Sequence, residues 1–208
     1  ALSMSRTLGL DGVSLRGRTV LPGFIDAHVH LDSLGAFLNT LNLRGVRSIE
    51  ELKTRLRNYA AKSLSRWILG RGWDQEMLEE KRYPTKWDLD EAVSERPVVL
   101  SRVCGHAAVV NTRVLELTGL TGRSVPGVLK NEAGAPTGVL VGKALETVGS
   151  RIEEQTTFQE RKKLLMDALA YSASQGVTMV GFVSCGSASL KALQELEAEL
   201  KRLPVRVR

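Results

Sequence analysis

Histidine is scarce in this 208-residue chain, which has only His28, His30 and His106. Cysteine is scarcer still. Cys104 and Cys185 lie far apart, too few for the disulfide framework of a small secreted scaffold, and read as reduced thiols of a cytoplasmic protein. Aromatic residues make up 5% of the chain, and its basic residues sit among carboxylates, as in Glu50-Glu51-Leu52-Lys53 and Glu160-Arg161-Lys162-Lys163. The net charge of +6 therefore reads as solvated helix faces, and no nucleic-acid partner is expected. No run approaches the roughly 18–20 apolar residues of a membrane span, and the first residues lack the apolar stretch of a signal peptide, so no membrane partner is expected. No Gly-x-Gly-x-x-Gly loop follows the first apolar strand.

What is present is an ordinary globular composition, 43% hydrophobic and 25% charged, enough for one or two domains with a substantial core. Asp11-Gly12, between Thr7–Leu10 and Val13–Leu15, predicts a β-hairpin. Strands and helices then alternate. Predicted strands lie at 24–29, 67–69, 97–103 and 177–183, with a last one at 204–208. Ser48 to Glu51 and Thr157 to Glu160 read as capping boxes that open helices. Ile49, Leu52, Leu56 and Tyr59 face inward on the first of these, and Leu164, Leu165, Ala168 and Leu169 on the second. Further helices are expected around 89–93, from Asn111 to Gly119, over 143–152, and from Ser187 or Ser189 with Leu190, Leu193, Leu196 and Leu200 in one stripe. Residues 120–140 read as an excursion with a small hairpin near 131–134.

Short apolar strands separated by helices argue for an α/β fold with a parallel sheet, either an open doubly wound sheet or a (β/α)8 barrel. Asp26, His28, His30, Asp74 and His106 all fall at the C-terminal ends of strands, where barrel enzymes build their sites, and this favours a TIM-like barrel. The expected organisation is a hairpin at 1–22 followed by a barrel portion at 23–208 with about four βα units and a fifth-strand stub.

The densest chemical signal is Gly23-Phe24-Ile25-Asp26-Ala27-His28-Val29-His30. Residues i and i+2 of a strand point the same way, with Cα atoms roughly 7 Å apart, so two imidazoles here can grip one divalent metal. Imidazole nitrogen suits Zn²⁺. Asp26 shares their parity and can orient one ring as an acceptor, or else bond to the main chain.

Together with Val20-Leu21-Pro22, this segment resembles the first-strand signature of the amidohydrolase superfamily. Arg71–Asp74, Pro84–Asp90, Arg96–Val98, Gly105–Asn111 and Gly134–Leu140 resemble the branch that contains N-substituted formamide deformylase-like proteins. The likeness runs from about Val13 to the last residue.

The resemblance implies a TIM-like barrel beside a small β-sandwich, of which the hairpin would be a remnant. It also implies one or two divalent metals, zinc foremost, that activate a water against a C–N bond of a small amide-type substrate. It makes Lys143 a candidate carboxylated bridging ligand, with Glu146 second. It makes His106 and Asp74 candidate substrate contacts, against a packed loop histidine and a turn cap. The remaining ligands and the general base of such enzymes come from later strands, and no histidine follows His106. The chain is therefore expected to be an N-terminal fragment with little activity alone. The alternative is a non-catalytic half-barrel that pairs with a second copy through the strand edges at 24–29 and 205–208.

Overall fold

The computed structural model describes residues 14–122 and 125–208. Most of the expected hairpin at 7–15 lies outside the described residues. Among the described residues, nine strands and seven helices follow Pro22-Gly23. In chain order they are β1 (Phe24–Val29), α1 (Leu31–Leu38), β2 (Leu41–Asn42), α2 (Ile49–Lys62), β3 (Ile68–Trp73), α3 (Lys86–Ala92), β4 (Val98–Arg102), β5 (Ala107–Val110), α4 (Thr112–Thr118), β6 (Val128–Lys130), β7 (Pro136–Val141), α5 (Lys143–Gln155), α6 (Phe158–Ser174), β8 (Val177–Phe182), α7 (Ser187–Leu200) and β9 (Arg206–Val207).

The helices follow local chemistry. Ser48 Oγ accepts from the Glu51 N–H at 3.1 Å, but the Glu51 carboxylate turns to the Arg47 N–H at 2.9 Å, so only half of the expected box forms. At Thr157 both halves are present. Asn111 caps α4, and Gly119 ends it at φ +69°, a left-handed conformation that glycine adopts without steric cost. Gly35 has a different role. A side chain there would collide with the Leu164 carbonyl, so α1 can lie directly on α6 only with glycine at the crossing.

Sheet membership departs from the expectation of successive βα units. β1 pairs with β8, and β8 with β9, in a parallel three-stranded sheet. The strands at 68–73 and 98–102, expected as the second and third of one barrel, belong to another sheet of order β2-β3-β4-β5-β7-β6. That sheet is mixed: β2, β3 and β4 run parallel, whereas β4/β5, β5/β7 and β6/β7 are antiparallel. The α/β class holds, and the strands expected of one barrel are divided between two sheets. Along one sheet the structure has three strands in the order β1, β8, β9. The cause is β5, a four-residue strand that folds back on β4 immediately after the turn at 103–106 and draws in the hairpin β6–β7.

Three clusters form the core. α2 and α3 cover one face of the six-stranded sheet through Leu52, Leu56, Leu89 and Leu100. α4 and α5 cover the other through Val114, Leu115, Ala144 and Leu140. α1, α6 and α7 cover the three-stranded sheet through Leu31, Leu165, Leu169, Val180 and Leu196. β1 is not buried on both faces as an inner parallel strand would be. It has one strand neighbour, and Phe24 and Ile25 are 56% and 59% exposed. Leu190 and Leu200 of α7, expected to face inward, are exposed. Leu190 lines an open cavity of about 670 Å³ beside β9.

Candidate functional site

The exit of β1 carries the histidines. Val29 is tied to the end of β8 by the Val183 N–H at 3.0 Å, and the chain then turns into α1 at His30. The imidazoles of His28 and His30 stand edge to face, centroids 5.4 Å apart and planes at 75°. Two imidazoles on one tetrahedral metal, each nitrogen about 2.0–2.1 Å from the ion, have their ring centres about 5 Å apart. The observed spacing of 5.4 Å is of that size. Both residues are exposed, so an ion would reach them without rearrangement. Asp26 does not hold either ring: its Oδ1 accepts from the His28 main-chain N–H at 3.1 Å and stiffens the end of the strand. Among the described residues no group of three or more His, Cys, Asp or Glu side chains is placed to hold an ion.

The other candidates gather at one edge of the six-stranded sheet. Asp74 follows β3, and its Oδ1 lies 2.9 Å from Arg102 Nη2 and accepts from the Glu76 N–H at 3.3 Å. Arg102 Nε donates to Gln75 Oε1 at 2.7 Å. His106 is exposed in the turn between β4 and β5, which the Gly105 N–H closes onto the Arg102 carbonyl at 2.9 Å. Lys143 comes two residues after Val141, and Val141 pairs with Ala107, so the antiparallel register carries the lysine to the His106 edge. No hydrogen bond or ion pair among the described residues links this edge to the histidine pair. Trp73, beside Asp74 in the sequence, is wholly buried and donates to the Leu100 carbonyl at 2.7 Å, so it is core rather than site.

Sequence reasoning missed Arg102, which joins Asp74 to the turn of His106. The signal was there: an arginine closing an apolar strand must find a partner as it loses water. It also missed the thiol beside it. Cys104 has its pKa pulled down to about 7, first by the His106 main-chain N–H and then by the Arg102 guanidinium.

Comparisons with known proteins place the chain in a family. The family model described as "Amidohydrolase family" matches residues 11–208. The chain is 37% identical over 180 residues to Protein LONG AFTER FAR-RED 3 of Arabidopsis thaliana, covering 83% of this chain and 30% of that protein. It is 29% identical over 196 residues to the N-substituted formamide deformylase of Arthrobacter pascens, covering 86% and 34%. Among solved structures, an uncharacterized metal-dependent hydrolase from Pyrococcus furiosus superposes with a TM-score of 0.76 at 40% identity, covering 99% of this chain and 41% of that one. The chain thus spans about a third of the length of these curated relatives. With the His-x-His strand end and the match over nearly its whole length, the chain belongs to the amidohydrolase family.

Proposed function

We propose that this chain contributes the His28–His30 limb of a divalent-metal site, zinc being the metal the imidazole pair favours, in a hydrolase of non-peptide C–N bonds such as amides or N-formyl groups. The observation that carries the reading is the 5.4 Å spacing of two accessible imidazoles at a strand end, in a chain of the amidohydrolase family. A bound ion of this kind supplies Lewis-acid polarisation of a carbonyl and acidification of water. The protein's part is to present two neutral ring nitrogens from a strand end stiffened by Asp26. Under this proposal Arg102 and His106 offer donors, and Asp74 an acceptor, to a small amide. Lys143 remains a candidate bridging ligand under this proposal. Among the described residues no three ligating side chains are gathered to hold an ion, and we infer that turnover by the isolated chain is negligible. The division into a sandwich segment at 1–22 and a catalytic-domain portion at 23–208 belongs to the same reading. So does a cytoplasmic setting, in keeping with free Cys104 and Cys185. No helix among the described residues is long and apolar enough to cross a membrane.

Metal titration of the chain, with assays on N-formyl and cyclic amide substrates, tests this. The expected result is weak divalent-metal uptake that His28→Ala and His30→Ala each abolish, with background turnover. Uptake indifferent to both substitutions would sink the metal reading, and brisk turnover by the chain alone would sink the inferred inactivity. A second reading has its own observation: the β1 edge away from β8, which pairs with no strand among the described residues and has Phe24 and Ile25 more than half exposed, can pair with a second copy. Concentration-dependent dimerisation in sedimentation, lost in Ile25→Lys, is expected there. A monodisperse monomer at all concentrations counts against it.

A further inference from the structure

Asp32 lies two residues beyond His30, in the first turn of α1. Its carboxylate, part-exposed, meets side chains of two other helices. The Ser189 hydroxyl sits astride it, 2.9 Å from Oδ1 and 2.8 Å from Oδ2. Arg161 Nη1 is 3.6 Å from Asp32 Oδ1 and 3.4 Å from Ser189 Oγ, while its Nη2 is held by Glu153 at 2.5 Å. Ser189 is 1% exposed in the first turn of α7, and Arg161 lies on α6. Asp32 is therefore the point where three helices of the three-stranded sheet's covering layer are tied together. Leu31, between Asp32 and His30, is completely buried in the same layer.

Strand pairing holds the chain as far as the Val29–His30 peptide, whose carbonyl accepts from the Val183 N–H at 3.0 Å, and leaves the rest of His30 to α1. The β1–β8 register is interrupted between Asp26 and Val29, and His30 lies beyond it. The His30 ring meets the His28 ring, its side chain makes no cap, and its carbonyl accepts from the Leu34 N–H at 2.9 Å. His30 is thus held on one side by the end of β8 and on the other by the first turn of α1. That turn is held from the side by Leu31 and Asp32.

We infer that Asp32, clamped by Ser189 and Arg161, is a positioning residue for His30: it sets the spacing of the two imidazoles without touching the ion they would share. This rests on the reading of His28 and His30 as metal ligands. It differs from the general favour that a carboxylate finds at a helix N-terminus, which would stabilise α1 without selecting a ring position.

The test uses the full 208-residue chain with Co²⁺ as the probe. Asp32→Ala and Ser189→Ala, which break the clamp from opposite sides, are expected to weaken Co²⁺ binding about ten-fold, the low end of what outer contacts contribute to metal affinity. Asp32→Asn keeps an oxygen for the Ser189 hydroxyl and is expected to retain near-normal affinity. Wild-type affinity in both alanine variants overturns the inference. So does a loss in Asp32→Asn as deep as in Asp32→Ala, because the role would then be charge at a helix end. A second readout needs no metal. Amide exchange at Leu34 should speed up in both alanine variants while that at Leu169 of α6 stays unchanged, and unchanged exchange at Leu34 overturns the inference. If wild type and His30→Ala alike take up no Co²⁺, the metal reading fails, and the exchange result still decides whether Asp32 anchors His30.

Discussion

Cys104 stands in the turn from β4 to β5, and its surroundings favour the thiolate. The His106 main-chain N–H contributes most, the Arg102 guanidinium next, and burial opposes them weakly; the result is a pKa of about 7. Cys185, at the mouth of the cavity beside β9, is pushed the other way by burial and then by the nearby Asp32 carboxylate. Because the thiolate is the nucleophile, alkylation by iodoacetamide is expected to reach half its maximal rate near pH 7 at Cys104 and only at clearly higher pH at Cys185. Arg102→Leu should move the Cys104 curve upward. Mass spectrometry of the two peptides across a pH series checks this, and coincident curves would refute it. Asn111 is a residue-scale feature of the core. Wholly buried, it accepts from the Val98 and Val114 N–H groups at 3.1 and 3.2 Å and donates to the Val93 and Arg96 carbonyls at 3.0 and 2.8 Å. Asn111→Ala leaves several of these groups without partners, at about 1–3 kcal/mol each when buried, so chemical denaturation should show a loss above about 3 kcal/mol.

At the scale of elements, α6 starts at a complete capping box, with Thr157 Oγ1 accepting from the Glu160 N–H at 3.2 Å and Glu160 Oε2 from the Thr157 N–H at 2.8 Å. Thr157→Ala should cost about 1 kcal/mol, and Thr157→Ser almost nothing, in thermal or urea unfolding. Elements of this kind were legible because their determinants are close in sequence: the boundaries of β1, the Asn111 cap, the turn at 131–134 and the start of α6 follow from neighbours a few residues apart. The histidine pair was legible for the same reason, as an i, i+2 relation on one strand. Sheet membership was not. Alternation of strands and helices says nothing about which strands pair, and β5 is only Ala-Ala-Val-Val directly behind another strand. Asp32 was equally hidden. In sequence it is one acidic residue in a helical first turn, and its partners Ser189 and Arg161 arrive more than a hundred residues later.

At the scale of the whole molecule, the six-stranded sheet is spliced between two strands that lie side by side. β1 pairs with β8, Phe24 opposite Val177, across about 150 residues, and closing so long a loop is entropically costly until other contacts shorten it. Within the six-stranded sheet the pairings are nearer: β3 meets β4 with Ile68 opposite Val98, and β5 meets β7 with Val109 opposite Val139. Contact order then dictates a sequence of events in refolding. The six-stranded sheet with α2 to α5 should form first and bring Leu31 and Leu165 within reach of each other. Pulse-labelled hydrogen exchange should therefore show protection of Val109 and Leu140 before Val180, and simultaneous protection would mean that the two sheets condense as one. The histidine pair, sitting on the late strand, would be the last part of the molecule to take its shape.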